Sequence, residues 1–313
     1  MVVKSHRSYG PQSKVDGQIF GCSEGDLRRL TLERFAPALF VLLWSTGFIG
    51  AKYGLPYADP FIFLAVRVLI AAVLLFALAR FMKMPVRIGR GAILRSGLIG
   101  FFLHACYLGG VFFSIAQGLP AGVAAVVTSL QPVLVSLIAV KVLGEQLRIR
   151  QVAGLLIGLV GVVMVLGPSM DAQIPSVAIV AILVALIGST TATVLQKKMG
   201  SDIPLLSGTA YQYLFSGCIL GIVALATQET TINWSLRFTA AFIWLIVVLS
   251  VGAILLLLWL LNSGSAAKVS SLFYLVPPAT AIEAFFLFGE KVNTQGFLGI
   301  GITALGVWLV MRG

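Results

Sequence analysis

A chain of 313 residues that is 59% hydrophobic and only 11% charged, with a mean hydropathy of +1.02, lacks the polar surface to cover a water-soluble globule. That excludes a soluble enzyme or binding domain and calls for an integral membrane protein. The net charge of +11 does not indicate nucleic-acid binding, because the Lys and Arg residues fall in the N-terminal tail and in short connections, not along one folded face.

Residues 1–34 are polar and mixed in charge, with no apolar stretch of the roughly 7–15 residues a signal peptide needs. They are expected to form a mobile cytoplasmic tail, with a short amphipathic helix over Asp26–Phe35 at the membrane surface. A membrane-crossing helix takes about 20 apolar residues, and ten candidates follow: Phe35–Tyr53, Phe61–Met82, Leu94–Ile115, Ala121–Leu143, Val152–Leu166, Val177–Leu195, Leu205–Ala226, Ala240–Leu261, Ala266–Phe288 and Gly296–Met311. The fifth and tenth are short. Connections carry turn residues, as in Gly118-Leu119-Pro120 and Asn262-Ser263-Gly264.

Basic residues set the orientation. Lys4, Arg7, Lys14, Arg28, Arg29 and Arg34 lie in the tail. Arg80 to Arg95 follow the second span, Lys141 to Arg150 the fourth, and Lys197-Lys198 the sixth. With ten spans all of these lie on one side, and the opposite connections offer little beyond Lys52, Arg237 and Lys291. Both termini are therefore expected in the cytoplasm.

The fourth span runs out through LQPVLVSLIAVKVLGE, Leu130 to Glu145. At an offset of 145 the ninth runs out through LVPPATAIEAFFLFGE, Leu275 to Glu290. Leu130, Pro132, Gly144 and Glu145 fall on Leu275, Pro277, Gly289 and Glu290, and Gly154/Gly299 and Gly161/Gly306 extend the match. The chain thus reads as two five-helix repeats, residues 35–166 and 177–311. Because five is odd, the second repeat enters the bilayer the other way up. Inverted repeats are the architecture of alternating-access transporters, whose solute site lies near the midplane between halves.

Two five-helix repeats ending in P…GE before a Gly-rich helix resemble the EamA-type family of the drug/metabolite transporter superfamily, as do LWSTGFIGAKYGL in the first span and AVRVLIAA in the second. The resemblance covers about residues 35–311. It implies an all-α polytopic membrane protein of ten helices around a central cavity lined by both halves, in a cell membrane (a bacterial inner membrane). It also implies a function among exporters of amino acids and toxic organic compounds and importers of some metabolites.

Pro132 and the pair Pro277-Pro278 sit near the middles of the fourth and ninth spans. Each removes a backbone donor and crowds the carbonyl four residues back, those of Thr128, Phe273 and Tyr274. Such turns are tolerated where they face protein or a wet cavity, so these prolines are candidate helix breaks or gates. Arg67, His104 and Glu283 are ionisable residues inside apolar runs, and should face the bundle interior. Arg67 is read as a helix staple, a snorkelling residue directed at Asp59, or a partner of Glu283. Glu283 could alternatively titrate during transport or hold the outer gate. His104 suits a proton-coupled step or a neutral hydrogen-bonded ring. Trp44, Tyr107, Tyr211, Tyr213, Trp259 and Tyr274 are aromatic with polar tips, whereas Tyr53 and Trp308 suit interfacial anchors. Trp44, His104, Tyr107, Gln131, Trp259 and Tyr274 are the candidate substrate-binding residues, with Gln131 as a polar hook. Aromatic walls with few charges favour an amphipathic or aromatic solute or an organic cation.

Gly50/Gly54, Gly154/Gly158 and Gly217/Gly221 have the GxxxG spacing of close helix approach, within one subunit or in a weak dimer. Cys22, Cys106 and Cys218 show no metal or disulfide spacing, and no cofactor is expected. No H-E-x-x-H, P-loop or G-x-S-x-G is present, so no enzymatic activity is expected and pumping must use an ion, proton or solute gradient. The leading expectation is a secondary transporter exporting amino acids, aromatic ones included, or related amphipathic compounds. An importer of a vitamin or nucleoside-like metabolite, and a non-transporting receptor or assembly subunit, are the alternatives.

Overall fold

The computed structural model describes residues 24–119, 124, 127–166, 174–227, 230–288 and 294–312. The expected mobile tail before residue 24, the start of the fourth span at Ala121 and the repeat-matched Glu290 lie outside the described residues. The backbone of Glu24–Gly54 is one helix, α1, and the chain divides within it into Met1–Phe35 and a compact unit Ala36–Gly313.

Among the described residues, seven helices are long and apolar enough to cross a bilayer. They are Phe35–Tyr57 from α1, α2 (Pro60–Phe81), α3 (Arg90–Ala116), α6 (Ser176–Met199), α7 (Leu205–Thr227), α8 (Leu236–Ser263) and α11 (Thr294–Arg312). The other three expected spans correspond to shorter pieces. The fourth ends in α4 (Gln131–Val142) and the fifth is α5 (Ile149–Leu166). The ninth is α9 (Ala266–Ser271), a 3-10 turn over Leu272–Leu275 and α10 (Val276–Phe288).

The prolines explain those interruptions. Pro132 is the second residue of α4, after a turn at Ser129-Leu130, and Pro277 is the second residue of α10, after the 3-10 turn. In the first turn of a helix the missing proline N–H has no intrahelical partner to lose. The chain therefore breaks and restarts at each proline, and does not bend there around an orphaned carbonyl.

A second interruption is also duplicated. Phe101–Leu108 in α3 and Leu245–Ala253 in α8 are π-helical. At the offset of 145, residues 101–108 fall on 246–253. Such segments are rare, and they frequently mark functional sites. They bring His104 and Tyr107 from one repeat and Leu249 and Ser250 from the other into the interior, all of them buried.

The two halves pack through α2 on α7, α5 on α11, α3 on α6 and α7, and α4 on α6 and α9. The glycines of α5 permit the closest approach. A Cβ at Gly154 would lie 2.6 Å from the Gly306 carbonyl oxygen, and one at Gly306 would meet the Gly158 backbone. All three GxxxG pairs face neighbours in the same chain: Leu245 and Phe63, then α11 and Tyr274, then α2. The outward faces are apolar too, with Val73, Ile222, Leu225 and Phe286 all largely exposed, as a lipid-facing belt requires.

Polar ties lie at the helix ends. Glu145 accepts from the first-turn N–H groups of α9, Ala266 at 2.8 Å and Ala267 at 3.4 Å. Lys197 donates to the carbonyls of Leu261 (3.1 Å) and Gly264 (2.5 Å), where α8 ends. The connection between α8 and α9 is thus held by an acid at its free N–H groups and a base at its free carbonyls, matching the polarity of helix termini. Elsewhere the Tyr57 carbonyl accepts from the Asn233 N–H at 2.9 Å.

Candidate functional site

Two cavities open between the halves, and both are lined by Trp44 and Tyr107. The first, about 330 Å³ including space open to solvent, is also lined by Thr128, Ser129, Gln131, Ser189, Phe273, Val276 and Pro277. The helix breaks before α4 and α10 both reach it, so it combines backbone turns from both repeats. The second, about 530 Å³ on the same measure, is mostly apolar; Arg67 of α2, Val111 and Phe112 of α3, and Leu249 of α8 are among its walls.

The aromatic wall is a cluster. Trp44 stands edge-on to Phe273, with ring centroids 5.3 Å apart at 83°, and lies 5.2 Å from Phe40, which itself meets Phe273 at 5.3 Å. Such tilted and edge-to-face pairs are the favoured aromatic geometries. The Tyr107 hydroxyl interacts with the Trp44 indole. The same cavity also has polar lining. The Gln131 amide donates to Thr193 Oγ1 at 3.0 Å and to the Ser189 carbonyl at 3.4 Å, which ties α4 to α6 across the halves and fixes the amide's orientation.

Of the residues singled out in the sequence, Trp44, Tyr107, Gln131 and Pro277 line the first cavity and Arg67 the second. His104, Tyr274, Trp259, Pro132, Pro278 and Glu283 line neither. His104 faces α7, its ring 4.5 Å from that of Tyr213. Its nearest polar neighbour is the Gln212 side chain, whose geometry falls short of a well-formed hydrogen bond. Tyr274 is fully buried against Gly158 of α5, and its hydroxyl is unpartnered among the described residues. Trp259 is half-buried against the core.

Arg67 and Glu283 are not paired with each other. Arg67 Nε donates to Ser250 Oγ at 2.9 Å, and Glu283 Oε1 accepts from Ser45 Oγ at 2.5 Å. Ser250 joins three helices, since its carbonyl also accepts from the Tyr213 hydroxyl at 2.5 Å. Outside the membrane-spanning segments, Asp202 forms a two-point ion pair with Arg95, both contacts at 2.8 Å. That guanidinium holds the Asp202 carboxyl below its ordinary range.

Sequence reasoning missed Phe273 and Ser189. It favoured Tyr274 for its polar tip, but the 3-10 turn rotates this stretch so that Phe273 meets Trp44. For Ser189 the available signal was the polar run Ser189-Thr190-Thr191 inside an apolar helix.

Two stretches of the chain, residues 35–167 and 176–312, each match the model of the EamA-like transporter family. The chain is 25% identical over 276 residues to the uncharacterized transporter YvbV of Bacillus subtilis, covering 87% of this chain and 89% of that one. It is 29% identical over 281 residues to the uncharacterized inner membrane transporter YedA of Escherichia coli, at 88% and 90% coverage. To a probable amino-acid metabolite efflux pump of Escherichia coli it is 25% identical over 294 residues, at 88% and 93% coverage. One solved crystal structure superposes with a TM-score of 0.76 at 19% identity, over 89% of this chain and 96% of the other, which supports the shared fold.

Proposed function

Because the chain belongs to the EamA-like transporter family, and is thus a multi-pass membrane transporter, we propose that it moves small organic metabolites by alternating access and exports amino acids, aromatic ones included, or related amphipathic compounds. The observation that carries this reading is the first cavity. It lies between the halves, and its lining combines the aromatic Trp44, Tyr107 and Phe273 with the polar Thr128, Ser129, Gln131 and Ser189. Aromatic rings and hydrogen-bonding groups lining one cavity suit a solute with an aromatic or aliphatic body and a polar end. The broken helices at the cavity fit a solute site near the midplane. The efflux-pump name of one relative supports the direction and the solute class.

The test is counterflow into proteoliposomes loaded with unlabelled phenylalanine, tryptophan or leucine, with nucleosides and quaternary amines as competitors. Accumulation of labelled aromatic amino acid that excess unlabelled amino acid abolishes is the expected result. No accumulation of labelled amino acid, or accumulation that nucleosides or quaternary amines abolish and excess amino acid does not, would contradict the solute class.

A further inference from the structure

The structure assigns Arg67 as the receptor for a carboxylate: we propose that the second cavity holds the acidic end of an organic acid or amino acid whose apolar body lies against Trp44 and Tyr107. This deepens the transport reading and rests on it only for the claim that the bound acid is also moved.

Arg67 is only 3% exposed, and a buried charge is normally paired. The guanidinium carries five N–H donors. One, on Nε, is taken by the neutral hydroxyl of Ser250. Among the described residues no carboxylate lies in salt-bridge range of the guanidinium, since the one intramembrane acid identified above, Glu283, is bonded to Ser45. The ionisable groups close to it, His104 and Tyr213, carry no negative charge at neutral pH and so do not compensate it.

Position supplies the second half. Among the described residues, Arg67 is the one charged residue lining the roughly 530 Å³ cavity, whose other walls include Leu108, Val111, Phe112 and Leu249. One fixed cation in an apolar chamber matches a solute with one negative charge and an apolar body. A phosphate dianion would need more cations and more donors than these walls offer. The planar guanidinium matches a carboxylate two-pronged, and the bond of Nε to Ser250, itself held by Tyr213, fixes the plane of the fork. Trp44 and Tyr107 border both cavities, so an acid on Arg67 places its body beside the aromatic wall already described.

The experiment uses matched pairs on the purified full chain: 3-phenylpropionate against 3-phenylpropionamide, and phenylalanine against phenylalaninamide, read as ligand-induced thermal shifts. Charge-assisted bonding predicts that the acids bind roughly 10- to 150-fold more tightly than the amides. Arg67→Gln abolishes the preference and Arg67→Lys retains part of it; the wild-type comparison stands alone if the variants do not fold. Amides that bind as well as acids, acids that do not bind, or a preference surviving in Arg67→Gln each overturn the proposal. An anionic lipid headgroup offers the same chemistry, so the series is repeated with phosphatidylglycerol added to phosphatidylcholine micelles; displacement of the acids by that lipid would overturn the solute assignment. Acids that bind but are not carried into proteoliposomes would refute the transport reading and leave the carboxylate site standing. Transport without acid preference would do the reverse.

Discussion

Trp44 is shared by both cavities of the candidate site. It packs on Phe40 and Phe273. Trp44→Ala removes apolar area and ring contacts worth ~1–3 kcal/mol of solute binding, or roughly 5- to 150-fold in affinity. Phe273→Ala is expected to act in the same direction and Trp44→Phe to lose less. Transport KM measured at equal folded yield checks this, and unchanged KM in both alanine variants would remove the aromatic wall from the solute site. The Trp44 side of the wall was legible because a tryptophan in mid-span stands out. Phe273 was not, because a 3-10 turn leaves no residue signature that fixes which of two adjacent aromatics faces inward. At the rim, Asp202 and Arg95 make a different prediction. The folded-state Asp202 carboxyl titrates below its ordinary value of 3.8. Its stabilising contribution is therefore fully present above that value and is lost as pH falls through the lower folded one. The pair is exposed and weak. The thermal midpoints of wild type and Asp202→Asn should differ at neutral pH and converge at strongly acidic pH; a gap that widens on acidification contradicts the assignment.

The duplicated prolines were the clearest sequence signal of element structure, and the structure gives them a definite position: each begins a new helix after a break at the first cavity. The paired π-helical segments were invisible in the sequence. No residue type requires such a turn, and the offset aligns Phe101–Leu108 with residues of unlike identity. They emerge from packing: α3 against α6 and α7, and α8 against α2. Glu145 carried the repeat signal as a bare match to Glu290, and its role became clear only with the α9 N-terminus in place. Glu145→Ala leaves the N–H groups of Ala266 and Ala267 without their carboxylate, at a cost of about 1 kcal/mol typical of a lost cap. Glu145→Gln keeps a neutral acceptor and costs less. Thermal midpoints should therefore fall in the order wild type, glutamine, alanine. Equal midpoints for all three would show that the contact does not hold α9.

At the scale of the molecule, composition and the offset of 145 carried the fold class, because lipid demands apolar helices and the repeat preserves the residues that break them. What the sequence did not contain was how the halves meet. The approach of α5 to α11 depends on four glycines, Gly154, Gly158, Gly161 and Gly306, spread over two repeats, and the cavities arise from side chains distant in the chain. The account rests on one claim, that the cavity between the halves is exposed to one side of the membrane and then the other. A single reporter, Ser189→Cys in a background with Cys22, Cys106 and Cys218 replaced, tests it. Ser189 lines the first cavity and is 4% exposed. Modification by a small membrane-impermeant thiosulfonate, applied separately to each face of oriented vesicles, is predicted to proceed from both faces and to slow from both when a transported solute saturates the cavity. Modification from one face only, with the same rate in the presence of that solute, would contradict alternating access through this site.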